Sequence, residues 1–317
     1  MWNPPRCFTA ASAAALLFIA AVRAEQAVFK SGIDLVNVTA TVTGGDGRFI
    51  GSLRKEDFVV TDNGQPQEIL NFSSERVPVS LGMLLDVSGS MTDEKMRTAR
   101  AAINHFIYDL LSPDDELFLA EFSLRAQMLQ TWTQNRDTFS RALDRANKGG
   151  FVFGTAVYDS VAMALPIVVQ GLHTKKALLV LSDGKDNQSR MPIKALQERI
   201  REYEVLVYAL AVDDSAVGGA TAGLGGFGGG SMRFGGGGGV DAGALRKITD
   251  DSGGRTEVVK GFKNLKEATA HLAEELSQQY LLSYAAPLKR DGSWHTIKVD
   301  VRKRGVKVRA RTGYIAN

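Results

Sequence analysis

An apolar run that ends on a carboxylate is the feature that most constrains this chain. The run extends from Val79 to Leu85, and Asp86, Ser88 and Ser90 follow it at every second position. It is too short to span a bilayer, so it predicts a buried strand that leads into a loop. The loop offers one carboxylate and two hydroxyls, and oxygen ligands suit a hard cation such as Mg²⁺. The same residues also fit a Ser- and Asp-rich turn that caps the next helix.

Two later apolar runs extend this strand into a predicted sheet. Lys176 to Ser182 precedes Asp183, and Val205 to Val212 follows a predicted helix at 193–203 that begins after Pro192. Near-continuous apolar strands that alternate with amphipathic helices predict a sheet with helices on both faces. We therefore expect an α/β fold with a doubly wound, mostly parallel sheet. The other helices and strands predicted in this region lie at residues 92–111, 116–123, 126–131, 135–146, 155–169, 241–251, 256–259 and 262–279.

The flanking segments show a different, period-2 pattern that is typical of half-buried strands. Val38, Ala40 and Val42 alternate with polar residues, and Asn63-Gly64 supplies the positive φ angles of a type I′ hairpin turn. The strands predicted in this way lie near residues 37–43, 57–61, 69–72, 280–284, 297–301 and 306–310. We expect them to pack together as a smaller β-domain. We interpret the basic face of the last two strands as solvent-exposed rather than anion-binding.

Residues 1–24 are predicted to be a secretory signal peptide. Arg6 precedes an apolar core at 10–22, and the segment ends on Val22-Arg23-Ala24, which suits a signal peptidase. An uncleaved membrane anchor is the alternative, although the apolar core is short for a span. Cys7 is the only cysteine, so the mature chain would hold no disulfide, zinc–thiolate site or cysteine nucleophile. We expect an exported protein, periplasmic or secreted, with no membrane span after cleavage.

Composition argues against nucleic-acid binding. Of the 317 residues, 44% are hydrophobic and 23% are charged, and the net charge is +3, or +1 without Arg6 and Arg23. Such a small and dispersed charge does not predict a nucleic-acid partner. Residues 218–239 hold 13 glycines in 22 positions, which predicts a flexible loop. This segment lacks the residue order of a phosphate-binding loop.

Two further motifs add oxygen donors to the predicted site. Gly154-Thr155 opens a predicted helix, and Ser182-Asp183-Gly184 closes a predicted strand. Because parallel strands end at one edge of a sheet, Asp86 and Asp183 should both lie at that edge, where ligands bind in open α/β sheets. Two carboxylates and three hydroxyls could supply most of the six oxygens that Mg²⁺ prefers.

With these residues in place, the chain resembles the von Willebrand factor A domain family. The resemblance rests on Asp86-x-Ser88-x-Ser90, on Thr155 and on Asp183. It implies a Rossmann-like fold and a metal ion-dependent adhesion site in which these five residues hold Mg²⁺ (or Mn²⁺). It further implies that the three hydroxyls bind the metal, that the aspartates act mainly through waters, and that a carboxylate of a protein partner completes the coordination.

The resemblance covers about residues 77–280. The predicted organisation is a signal peptide at 1–24, an N-terminal β-segment at 25–76, the α/β domain at 77–280 and a C-terminal β-segment at 281–317 that packs with the N-terminal one. The flanks resemble, more loosely, bacterial exported proteins that embed such a domain and end in a Gly-Tyr segment, here Gly313-Tyr314. We interpret the carboxylates near the motifs as structural; these are Glu121, Asp159 and Asp186.

A protein-binding module is favoured over two alternatives. A metal-dependent hydrolase could use an open cation to activate water, but the chain has no G-x-S-x-G motif. Its four histidines also lie away from the motifs, at His105, His173, His271 and His295. An unmetallated structural scaffold is the other alternative. We therefore predict no enzyme activity and no catalytic residues.

Overall fold

The computed structural model describes residues 34–147, 153–183, 185–213, 240–286 and 292–316. The predicted signal peptide and the glycine-rich segment lie outside these ranges. The described residues belong to a unit that starts at Asp34. Within them, no helix combines the length and the apolar character needed to cross a membrane.

The strands and helices follow the predicted order. The strands are β1 (Leu35–Gly44), β2 (Phe58–Asp62), β3 (Gln65–Gln67), β4 (Ile69–Ser73), β5 (Val79–Asp86), β6 (Glu116–Phe122), β7 (Ala126–Thr133), β8 (Lys175–Ser182), β9 (Leu206–Asp213), β10 (Thr256–Lys260), β11 (Tyr280–Ala285), β12 (Trp294–Val301), β13 (Val306–Ala310) and β14 (Gly313–Ile315). The helices are α1 (Asp93–His105), α2 (Arg136–Leu143), α3 (Val157–Val168), α4 (Ile193–Glu202), α5 (Ala242–Asp250) and α6 (Leu265–Ser277). A π-helical turn at Phe106–Leu110 extends α1, and a 3₁₀ turn at Phe262–Asn264 precedes α6.

The strand β5 lies in the middle of a sheet with the order β10-β9-β8-β5-β6-β7. Its neighbours β6 and β8 run parallel to it, and the edge strand β7 is antiparallel to β6. All residues of β5, from Val79 to Asp86, are buried because helices cover both faces of the sheet. The predicted doubly wound, mostly parallel sheet is confirmed.

Apolar cores lie on both faces of this sheet. Phe106 and Leu272 belong to the core under α1 and α6, whereas Leu165 belongs to the core under α3, α4 and α5. Gly82 in β5 leaves room for a ring on the second face, since a Cβ there would lie 2.3 Å from Cζ of Phe118. The absence of a side chain at Gly82 thus allows a large aromatic residue to pack against the central strand.

The remaining strands form two four-stranded sheets with the orders β13-β1-β11-β4 and β14-β12-β2-β3. Their inner residues share one core, to which Val38, Tyr284 and Val299 belong. Strands from before and after the central sheet therefore build one β-sandwich, which confirms the predicted β-domain. The three-residue strand β14 was not predicted, because it is too short to show a period-2 pattern.

The predicted turn at Asn63-Gly64 is present, with φ angles of 48° and 79°. It connects β2 to the short strand β3, and not to β4, which lies in the other sheet. Pro66 lies in β3 at the edge of its sheet, where the missing N–H costs no ladder hydrogen bond. The hairpin signal was therefore correct, although its partner strand is shorter than the sequence indicated.

A buried carboxylate, Glu275 of α6, joins the sandwich to the central sheet. It accepts a hydrogen bond from the hydroxyl of Tyr208 at 3.0 Å and lies 3.1 Å from Nε of Arg255. It also pairs with Arg309 of β13. Because a buried charge without partners is costly, these contacts hold α6, β9 and β13 in one arrangement.

Lys175, the first residue of β8, is buried near this joint. Its ammonium donates to the carbonyl of Leu276. The pKa of Lys175 is lowered to about 7, chiefly by burial and also by the positive charge of Arg76, while Asp115 and Glu275 partly oppose the decrease. The folded protein therefore favours the neutral amine more than the unfolded chain does.

Replacing Lys175 by methionine should flatten the dependence of stability on pH. Between about pH 7 and 10.5 the unfolded chain binds more protons than the folded one, so the wild-type free energy of unfolding should rise with pH across this window. In Lys175→Met this pH dependence is lost, so the free energy of unfolding of the wild type minus that of the variant should increase by up to about 3 kcal/mol from pH 7 to 9.5. Urea denaturation across this range measures it. Lys266→Met, at an exposed position of α6, is the matched control, and parallel curves for wild type and Lys175→Met would contradict the prediction.

Candidate functional site

The predicted site residues lie at the carboxyl edge of the central sheet. Asp86 is the last residue of β5, and Asp183 directly follows the neighbouring parallel strand β8. Thr155 precedes α3, and the next residue, Ala156, donates its N–H to the carbonyl of Ser123 at 2.7 Å. Since Ser123 follows β6, all the predicted residues are held at the ends of β5, β6 and β8. This is the edge at which open α/β sheets bind ligands.

Four of the five predicted residues are connected by a continuous series of hydrogen bonds, one of which uses the backbone N–H of Ser88. Asp86 accepts the backbone N–H of Ser88 at 2.8 Å. The hydroxyls of Ser88 and Ser90 are 3.1 Å apart, and that of Ser90 donates to Oδ1 of Asp183 at 2.6 Å. Ser182 donates its hydroxyl to the other oxygen of Asp86 at 2.5 Å. The two carboxylates, which are 97 positions apart in sequence, are thus connected through two serines.

The fifth residue, Thr155, is buried at the same edge but is held by a different loop. Its N–H donates to Oδ1 of Asn187 at 2.9 Å, and its carbonyl accepts the N–H groups of Asn187 and Gln188. In the described residues, the Thr155 hydroxyl makes no hydrogen bond to the other four side chains. The structure therefore brings four residues into direct contact and places the fifth nearby through the backbone.

Asp86 is fully buried. Burial raises its pKa from 3.8 to about 6, although the hydrogen bonds from Ser182 and Ser88 act in the opposite direction. The negative charge of Asp183 is a smaller cause of the same increase in the pKa. A cation bound at this edge would favour the ionised form of Asp86, because it offsets both burial and repulsion.

Lys95 is a component of the site that the sequence analysis missed. Its ammonium lies 2.7 Å from Oδ2 of Asp183, whose side chain is only 2% exposed. The same ammonium lies 5.3 Å from the ring centroid of Phe262. A signal was present: Thr92 caps α1, and Lys95 stands three residues later, where a capping box would have Glu or Gln. A lysine there opposes the helix dipole, which indicates that an acidic partner outside the helix compensates for it.

The neighbouring carboxylates have structural roles, as predicted. Asp186 accepts the N–H of Tyr158 at 2.9 Å and the hydroxyl of Ser189 at 2.5 Å. Asp159 accepts the N–H of Met191 at 2.9 Å. These contacts fasten the loop after β8 to the first turn of α3, next to Thr155. Elsewhere, Glu121 accepts the N–H of Asn147 at 2.8 Å.

The donor set fits a hard cation better than a soft one. All five predicted ligands offer oxygen, which is what Mg²⁺ and Mn²⁺ prefer. The described residues contain no cluster of three or more His, Cys, Asp or Glu side chains of the kind that holds zinc through imidazole or thiolate. A crevice of about 310 Å³, lined in part by Ser88, Thr92 and Asn147, opens beside the hydroxyls. Another, of about 700 Å³, is lined by Lys95, Asp213 and Phe262.

Comparison with known proteins agrees with this fold. Residues 81–271 match the family model for the von Willebrand factor type A domain. Proximal thread matrix protein 1 from the mussel byssus is similar in structure, with a TM-score of 0.51 and 13% identity, and the match covers 68% of this chain and 51% of that one. A second structure of that protein, with a zinc-occupied MIDAS motif, has the same TM-score and identity over 68% of this chain and 49% of that one.

Two bacterial proteins are also similar. A von Willebrand factor type A protein from Catenulispora acidiphila has a TM-score of 0.50 and 13% identity, over 90% of this chain and 75% of that one. The uncharacterized protein sll0103 from Synechocystis is 25% identical over 146 residues, which are 44% of this chain and 33% of that protein. The match thus spans about a third of this curated relative, and the structural likenesses indicate the fold alone.

Replacing Asp186 by alanine should loosen the loop that holds Thr155. The change leaves the N–H groups of Tyr158 and Ser189 without their acceptor, which typically costs about 1–3 kcal/mol. Amide hydrogen exchange at Tyr158 and Ser189 should become faster, whereas exchange in β5 should not change. Lys185→Ala, at an exposed neighbouring position, is the control. Unchanged protection of both amides in Asp186→Ala would show that Asp186 does not fasten the loop.

Proposed function

Because this chain belongs to the von Willebrand factor type A domain family, we propose that it is an exported protein-binding module that engages an acidic group of a partner protein through a divalent cation. The cation is Mg²⁺ or Mn²⁺, and it is held by Asp86, Ser88, Ser90, Thr155 and Asp183. One observation carries the proposal: the hydrogen-bonded chain from Asp86 through the two serines to Asp183 at the carboxyl edge of the sheet. Residues 1–24 are proposed to be the signal peptide.

Each side chain has a distinct proposed role at this site. The hydroxyls of Ser88, Ser90 and Thr155 offer neutral oxygens, and the two aspartates supply the negative charge that attracts the cation. Burial of Asp86 and its hydrogen bond from the Ser88 N–H fix the orientation of its carboxylate. When bound, the cation would supply a positive charge to which a carboxylate of a partner protein can bind.

The crevices beside these residues are consistent with a protein partner rather than with an enclosed small molecule. Thr92, the N-cap of α1, lines both crevices, and Ser88 lines the first of them and Lys95 the second. An acidic side chain that projects from a protein surface could therefore approach the site without a large rearrangement of the backbone. The partner's remaining surface would contact the rims of the crevices.

Replacing Asp86 by alanine should abolish binding of the cation. The variant removes one of the two carboxylates and leaves the donors of Ser88 and Ser182 without their acceptor. Calorimetric titration of Mg²⁺ and of Mn²⁺ into wild type and Asp86→Ala measures the effect. Glu198→Ala, at an exposed position of α4, controls for the loss of one negative charge and should bind as wild type does. Equal heats of binding for wild type and Asp86→Ala would show that the proposed residues do not hold the cation.

A second measurement tests the partner. The wild-type protein, immobilised, should retain a protein from the envelope fraction of its own cell in the presence of Mg²⁺ and release it with a chelator. Asp86→Ala should retain none. Retention that is the same with and without chelator would show that the contact does not use the cation.

Replacing Lys95 by methionine should strengthen binding of the cation by roughly tenfold, which corresponds to about 1.4 kcal/mol. The ammonium of Lys95 neutralises Asp183 and would repel an incoming divalent ion, so its removal should favour the ion. The same titrations measure the change. Lys263→Met is the matched control, because Lys263 lines the same crevice without contacting Asp183. Weaker binding in Lys95→Met would show instead that Lys95 positions Asp183 for the cation.

A further inference from the structure

The β-sandwich is open along one side, between β12 and β13. Trp294 to Thr296 of β12 pair with β14, whereas Ile297 to Val301 pair with β2 on the opposite side. The strand β13 pairs with β1 and forms the edge of its own sheet. In the ranges that the structure describes, no strand is hydrogen-bonded to the second side of 298–301 or to the outer side of β13. Although β12 and β13 are consecutive in the chain, they are not hydrogen-bonded to each other as a hairpin.

The direction of the backbone groups in β12 follows from its hydrogen bonds. The carbonyl of Thr296 accepts the N–H of Asn63 at 2.9 Å, and Arg302 donates its N–H to the carbonyl of Asp57 at 2.9 Å. Both bonds point toward β2. Because successive residues of a strand point their N–H and C=O groups to opposite sides, the residues at odd positions between them must point away from β2.

Ile297 confirms this alternation, since its N–H donates to the carbonyl of Thr312 on the far side at 2.9 Å. The next two residues of β12 with the same backbone orientation as Ile297 are Val299 and Val301. Their N–H and C=O groups therefore face the gap between β12 and β13. These are backbone groups of the kind with which an added strand can pair.

The gap has an apolar floor. Val301, Val306, Val308 and Ala310 pack against the sandwich core but are only partly buried. Together with the inner side chains of β12 they line a groove of about 310 Å³. Partial exposure of side chains that point into a sandwich is expected where the strand that would cover them is not provided by the described chain itself.

The rim of the groove is strongly basic. The exposed cations of β12, of β13 and of the turn between them are Lys298, Arg302, Lys303, Arg304 and Lys307. The single acid between residues 297 and 312 is Asp300, which pairs with Lys298 at 2.7 Å. Arg309 and Arg311 in the same stretch pair with Glu275 and Glu204. The unbalanced positive charge is therefore concentrated around the opening.

We propose that this groove is a docking site for an extended acidic segment of a partner protein, which adds to β12 as a strand. Its small apolar side chains would cover the valines of the floor, and its alternate, acidic side chains would face the basic rim. A second copy of this chain is a poorer occupant, because pairing of two such edges would bring Lys and Arg against Lys and Arg. The proposal does not depend on the cation site at the carboxyl edge of the central sheet.

A labelled peptide tests the proposal. The probe is a fluorescein-labelled heptapeptide of alternating aspartate and valine, titrated against the protein in the presence of EDTA and followed by fluorescence anisotropy. Two control peptides have the same sequence and carry N-methyl groups either on the valine amides or on the aspartate amides. We expect the unmodified peptide to bind and at least one N-methylated peptide to bind at least tenfold more weakly, because a strand addition needs backbone donors on one side.

Protein variants test the basic rim separately. The double variant Lys298→Glu/Lys307→Glu should bind the unmodified peptide at least tenfold more weakly than the wild type does. The double variant Lys55→Glu/Lys266→Glu, at exposed positions elsewhere, is the control and should show a much smaller decrease in affinity. Equal binding of all three peptides would overturn the proposal, since it would show attraction by charge alone. No binding of the unmodified peptide would also overturn it. Light scattering that shows a dimer, dissociated by Val308→Arg, would assign the groove to a second copy instead.

Discussion

The buried carboxylate of Asp86 is the constraint on which the site depends. A charge at the end of a fully buried strand is costly, and this cost appears as the increase in its pKa. The N–H of Ser88 and the hydroxyl of Ser182 offset part of the cost by hydrogen bonding to both carboxylate oxygens. These bonds fix the first turn of the loop after β5 and tie it to the end of β8. The two strands that carry the acidic residues are therefore joined at their ends as well as along their backbones.

Much of this arrangement follows from the sequence because it depends on local patterns. Continuous apolar runs identified the parallel strands, and the rule that such strands end at one edge predicted that Asp86 and Asp183 would lie together. Asn63-Gly64 identified a turn because few residue pairs adopt its φ angles. Lys95 was not predicted as a site residue: its position in the first turn of α1 indicates an acidic partner, but no local pattern identifies that partner as Asp183, which is 88 positions away. The short strands β3 and β14 were not predicted for a related reason, because only their pairing with longer strands defines them.

The joint between the central sheet and the sandwich combines one buried ionic cluster with close backbone packing. Glu275 makes the charged contacts, and Gly253 allows the two surfaces to approach. A Cβ at Gly253 would lie 2.6 Å from the backbone nitrogen of Arg311, which follows β13 of the sandwich. Gly253 also has a φ angle of +85°, which side chains disfavour. The sequence does not show this role of Gly253, because the packing depends on a strand from the far end of the chain.

The basic rim of the sandwich has an explanation that the sequence pattern alone did not favour. Alternating Lys and Arg residues on a terminal strand are usually a solvated face, and they also prevent exposed strand edges from joining in aggregates. Prevention of aggregation requires only that the edge repel the same edge of another copy of the protein. Here the same charges surround a groove whose floor is apolar and whose backbone groups at Val299 and Val301 point into the opening. The positive charges that repel the same edge of another copy also attract an acidic strand. One set of residues can therefore both oppose aggregation and select the partner.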